Sequence, residues 1–74
     1  MSIARITEIS STSTKSFEDA IQGAVSRATS TLRNVRSAWV KEQQIKIDNG
    51  SIVEYQVNLM ITFVLDDGDQ GDVA

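Results

Sequence analysis

The stretch Val40–Phe63, VKEQQIKIDNGSIVEYQVNLMITF, decides the fold. At its centre stands Asn49-Gly50, between Ile-rich runs. Asn-Gly is the strongest short-range hairpin signal, because both central residues of a type I′ turn need positive φ. With Asn49 and Gly50 at the turn, Asp48 faces Ser51 and the register follows. Ile47 faces Ile52, Gln43 faces Gln56, Trp39 faces Met60 and Ser37 faces Thr62. Side chains alternate between the faces of a strand. Val53, Tyr55, Val57, Leu59, Ile61, Phe63 and Leu65 therefore share one face, and Ala38 and Val40 lie across from Ile61 and Leu59. That face is apolar and must be covered. The other carries Ser37, Trp39, Lys41, Gln43, Gln56, Asn58, Met60 and Thr62. The same register puts Glu42 and Glu54 on opposite faces.

Upstream lies the element that can cover the apolar face. Phe17, Ala20, Ile21, Ala24, Val25, Ala28 and Leu32 recur at helical spacing on one stripe. Ser16 is a natural N-cap, and Asp19 three residues on makes a capping box with Asp in place of Glu. Arg33 and Asn34 supply a cation and a terminator at the far end. Gly23 interrupts the helix, and a close backbone contact is one reason to keep a glycine there. Before the helix, SIARITEI (Ser2–Ile9) reads as a strand and SSTSTK (Ser10–Lys15) as a polar loop. The order is strand, helix, strand, turn, strand, an α+β chain with β-α-β-β connectivity. The hairpin outreaches the helix. Ile45, Ile47, Ile52, Val53 and Tyr55 crowd the turn end on both faces, which marks a subunit contact.

Seventy-four residues make one small domain. A chain this short buries only about 60% of its unfolded surface and needs outside support. There is no Cys for disulfides and no His, the commonest general base and zinc ligand. Oligomerisation is the support left. Four of the ten acidic residues, Asp66, Asp67, Asp69 and Asp72, lie in the last nine positions, leaving six against seven Lys and Arg. Residues 1–65 read as the domain and 66–74 as an acidic, disordered tail. The tail lacks the ligand pattern and closing Glu of a calcium loop, so no metal ligand is assigned. A near-neutral domain has no basic patch for nucleic acid. No apolar run of about 18 residues exists to span a membrane, and no basic segment precedes an apolar one. A soluble, cytoplasmic protein is expected. No nucleophile–base pair is visible, so no catalytic residue is assigned and an enzyme is not expected.

Three segments resemble the dodecin family. TSTKSFEDAIQGAVSRATSTLRNVR (Thr12–Arg36) is similar to its Thr/Ser-rich loop, its aromatic after the helix cap and its Leu-Arg-Asn helix end. VKEQ (Val40–Gln43) resembles the second-strand Val-x-Glu-Gln. NGSIVEYQVNLMITFVL (Asn49–Leu65) resembles the third strand with its Tyr-Gln-Val. The resemblance runs from about Ile3 to Leu65. It implies a three-stranded antiparallel sheet partly wrapped around one helix, and a hollow homo-oligomer, a dodecamer. It also implies flavin binding, riboflavin or FMN, for storage and photoprotection rather than catalysis. In the family, flavins lie in pairs between tryptophans, and a third-strand glutamine bonds the flavin's polar edge. That glutamine maps onto Gln56. The family's tryptophan follows Asn-x-Arg, whereas here Asn34-Val35-Arg36 is followed by Ser37, and Trp39 comes two residues later. Ser37 and Trp39 share a face, roughly 6.6 Å apart along the strand.

The candidate ligand-binding residues are therefore Gln56, Trp39, Ser37 and Met60. Two of them have a second reading. Trp39 is either a stacking platform or an interface anchor packed on Met60. Gln56 either contacts ligand or pairs with Gln43 across the ladder. The alternative function is a flavin-free shell that binds cations or another small ligand, or a purely structural assembly.

Overall fold

A computed structural model describes residues 3–65. The elements are β1 (Ala4–Ser13), α1 (Phe17–Thr31), β2 (Val35–Asp48) and β3 (Ser51–Val64). They form one antiparallel sheet in the order β1-β3-β2, with α1 on one face. This is the α+β architecture read from the sequence. The tail assigned to 66–74 lies outside the described residues.

The central strand is β3, which pairs with β1 along one edge and β2 along the other. Val57, Leu59 and Ile61 are fully buried. Against them α1 sets Ala20, Ala24 and Ala28, all buried. Alanines at this contact bring the helix backbone close to the sheet. Ile9, Phe17, Ile21, Leu32 and Val35 complete the core from the margins. Phe17 meets the Tyr55 ring edge-on at 5.2 Å and 75°, a favoured aromatic geometry.

The helix starts where expected. Ser16 Oγ accepts from the Asp19 backbone N–H at 2.9 Å. The capping box does not close, however. The Asp19 carboxylate accepts instead from the Ser13 hydroxyl at 2.7 Å, and Ser13 Oγ takes the Lys15 N–H at 2.9 Å. The Thr/Ser-rich segment fixes the helix entry through Ser13. Its first part is not loop: β1 runs on to Ser13, pairing Ser10, Ser11, Thr12 and Ser13 with Asn58, Val57, Gln56 and Tyr55. Polar side chains did not prevent the strand, because β3 offered backbone partners to its end. Gly23 is not forced by a tight contact, since a Cβ there would meet only Ser11 Oγ at 3.9 Å. At the helix exit Asn34 adopts φ 59°, and its amide donates to Val64 O at 3.3 Å.

Asn49 and Gly50 have φ of 52° and 77°, as the type I′ turn requires. The expected register holds at the turn and again from Val40 back to Ser37, but not between them, nor at the start of β2, where Arg36 is unopposed and Val35 faces Phe63. One bulge leaves Val53 unopposed and a second leaves Lys41 unopposed, so Gln44, not Gln43, faces Gln56. The two offsets cancel, and Trp39↔Met60 and Ser37↔Thr62 stand as expected. The single face assigned to the seven alternating residues from Val53 to Leu65 is thus broken at Val53. Glu42 also moves, joining Glu54 on the face away from α1.

The arm beyond the helix is bare. Ile47 is 64% exposed, Ile52 50% and Val53 46%. The fold measures 55 × 19 × 14 Å with a radius of gyration of 15.3 Å, against about 11 Å for a compact chain of this length. No helix among the described residues is long and apolar enough to cross a membrane.

Candidate functional site

Because Val57, Leu59 and Ile61 point at α1, the alternate β3 residues Gln56, Asn58, Met60 and Thr62 point away from it. This outer face is built in rows across the sheet. Ile6, Thr62 and Ser37 form one row and Glu8, Met60 and Trp39 the next. Ser10, Asn58 and Glu42 follow, then Thr12, Gln56 and Gln44. The first two rows mix Ile6, Met60 and Trp39 with Thr62, Ser37 and Glu8, and the last two are wholly polar.

Trp39 is 50% exposed beside Met60, and Ile6 is equally open at 52%. Burying a half-exposed Trp removes a large apolar area from water. Lys41, in the bulge, reaches over to Glu8 at 3.2 Å. Both partners are well exposed, so the pair adds at most about 1 kcal/mol. Ser37 has a second neighbourhood. It borders a cavity of about 220 Å³ between α1 and the start of β2, shared with Val25, Thr29, Val35, Arg36, Ala38 and Ile61.

The polar rows are cross-linked. Asn58 Nδ2 donates to Glu42 Oε1 at 2.9 Å. Gln56 Nε2 donates to Ser10 Oγ at 3.0 Å and to Asn58 Oδ1 at 3.4 Å. Gln44 Nε2 donates to Gln56 Oε1 at 3.2 Å. The structure thus brings Ser37, Trp39 and Met60 together. Gln56 lies on the same face, roughly 13 Å along β3 from Met60 at four residues' separation. Sequence reasoning missed Gln44, Glu42 and Ser10 as neighbours of Gln56. One signal was available. Val40 and Ile45 are both apolar, yet they are five residues apart and would fall on opposite faces of a regular strand. The bulge at Lys41 brings the two onto one face.

Chemically, the face offers an aromatic–thioether platform and a set of carboxamides. Amides supply donors and acceptors but no base. Among the described residues no three acidic, His or Cys side chains gather where a metal ion could sit. A second depression, about 340 Å³ at the start of α1, is lined by Lys15, Ser16, Glu18, Asp19 and Gln22 and has no aromatic wall.

A family model described as Dodecin matches residues 3–66. The calcium dodecin of Mycobacterium tuberculosis is 33% identical over 63 residues, covering 85% of this chain and 89% of its own. In structure, a mutant dodecin of T. thermophilus is similar at TM-score 0.84 and 36% identity, covering 90% of this chain and all of that one (100%). The dodecin of Streptomyces coelicolor gives 0.83 and 32%, with 89% and 94% coverage. The M. tuberculosis calcium dodecin, described with a novel calcium-binding site, gives 0.75 and 31%, with the same coverages of 89% and 94%.

Proposed function

The chain belongs to the dodecin family of small-ligand binding proteins, and we propose that it sequesters a flavin, riboflavin or FMN, within a hollow cytoplasmic homo-oligomer. One observation carries this reading: a half-exposed Trp39 beside Met60 shares a sheet face with the Gln56 amide. A flat ring system can stack on the first and set its polar edge against the second. The bare apolar arm supports the homo-oligomer, since burying Ile47 and Ile52 needs a second surface. Binding, not catalysis, fits the residues. Glu42 and Glu54 are roughly 13 Å apart along the strand, too far to share a proton.

Ser37 lowers the expected affinity, because it offers no ring face where the family pattern has a tryptophan. Titration of the purified protein with riboflavin, followed by quenching of flavin fluorescence, tests the proposal. Saturable quenching is expected. No quenching up to the solubility limit of riboflavin would overturn it.

The calcium dodecin of M. tuberculosis favours a second reading, binding of a divalent cation. Calorimetric titration with calcium separates the two. Heat saturating with calcium, without flavin binding, would put the cation first.

A further inference from the structure

The carboxamides of the outer face form a chain of hydrogen bonds with a direction, and that direction has one source. A carboxylate offers acceptors only, whereas a carboxamide offers acceptors at one end and two N–H at the other. Reversing a carboxamide hardly changes its shape, so only its neighbours decide which end is oxygen. Glu42 Oε1 takes an N–H from Asn58 at 2.9 Å. Asn58 must then turn its oxygen toward Gln56, whose Nε2 lies 3.4 Å away. The other N–H of Gln56 goes to Ser10 Oγ at 3.0 Å. With its nitrogen committed to the β1 side, Gln56 presents its oxygen to β2, where Gln44 Nε2 donates at 3.2 Å. Flipping any one amide would set two donors or two acceptors against each other. Ser10 cannot supply the direction, because a hydroxyl both donates and accepts.

We propose that Glu42 is a positioning residue that sets the polarity of this ladder and, through it, the ligand edge the site accepts. Gln56 Oε1 keeps a second lone pair after accepting from Gln44. Gln44 keeps a second N–H after donating to Gln56. An acceptor therefore stands beside a donor, two rows along the same face from Trp39 and Met60. The complement is a flat ring whose edge carries an N–H beside a C=O, the lactam or imide edge of a pyrimidine-type ring. An edge with the N–H blocked leaves Gln56 Oε1 without its partner. The ligand class rests on the flavin reading above; the polarity does not.

Two measurements on the whole protein test the two parts. Neutron diffraction from perdeuterated crystals distinguishes a carboxamide nitrogen, with its two deuteriums, from the oxygen. In the wild type the Gln56 deuteriums should point to Ser10 and Asn58. In Glu42→Gln, where position 42 can donate or accept, the Asn58 and Gln56 amides should occupy both orientations. The double variant Glu42→Gln/Asn58→Asp moves the carboxylate one step along the chain and should restore the single orientation of Gln56. Fluorescence titration then compares lumiflavin with 3-methyllumiflavin, in which the imide N–H is replaced. The wild type should prefer lumiflavin by about 10-fold, the worth of one hydrogen bond at 1.4 kcal/mol per tenfold. The preference should shrink toward unity in Glu42→Gln and return in the double variant. Wild-type Gln56 deuteriums aimed at Gln44, or a single unchanged orientation in Glu42→Gln, would overturn the polarity. A wild type that binds both flavins equally, or neither, would overturn the ligand class while the diffraction result still decides the polarity.

Discussion

Ser37 presents a hydroxymethyl group on the row next to Trp39 and Met60, where a second ring would give a flavin another wall. Stacking on one aromatic side chain is worth about 1–3 kcal/mol per base-sized ring. Ser37→Trp should therefore tighten riboflavin binding by roughly 5- to 150-fold, at 1.4 kcal/mol per tenfold. Flavin fluorescence quenching reads the change, and an unaltered affinity would mean that Trp39 already fills the space. Trp39→Ala should weaken binding by a similar factor with the mass of the assembly unchanged. Dissociation on that substitution would make Trp39 an interface anchor instead. At this scale the reading from sequence was mixed. Trp39, Met60 and Ser37 fell on the expected face because alternation counted from the turn is right at their positions. Gln56 was also placed correctly, but its partner was not. The error was one residue, from Gln43 to Gln44, and it exchanged a glutamine aimed at the core face for one that bonds Gln56.

At the scale of the elements, local chemistry sets the ends and tertiary packing the lengths. Gly23 occupies a helix position where a Cβ would find only ordinary contact at 3.9 Å. Gly23→Ala should raise stability by about 0.5–1 kcal/mol, from propensity alone. The check is a thermal melt at matched protein concentration, and a lower melting temperature would place another surface against the helix there. Gly50 is the opposite case. Its φ of 77° lies in the left-handed region, and a side chain there costs roughly 1–2 kcal/mol. Gly50→Ala should destabilise the hairpin by about that much, read by the same melt. β1 shows the limit of local reading. Its Ser/Thr run looked like loop, because capping residues cluster there, but pairing with β3 held it as strand through Ser13.

For the whole molecule, a small alanine-rich core carries a hairpin arm that the helix leaves open. With Ile47 and Ile52 paired and exposed at the tip, the chain is expected to assemble. Light scattering at micromolar concentration should give a mass many times that of one chain. Ile52→Lys places a charge on the arm and should shift that mass downward. An unchanged mass would locate the contacts elsewhere. What the sequence by itself determined were features that depend on a few neighbours in the chain. These are the helical stripe ending near Leu32, the Ser16 cap, the Asn-Gly turn and the alternation that buries Val57, Leu59 and Ile61. Only the tertiary structure decided that β3 lies in the middle, how far β1 extends, and where the irregularities at Arg36, Lys41 and Val53 fall. The physical reason is that register is a sum over the hairpin. Counting from the turn is sound until one strand holds an extra residue, and no few neighbouring residues mark where that residue falls. The chain bulges at Lys41, and Glu42 and Gln44 are thereby delivered to Asn58 and Gln56.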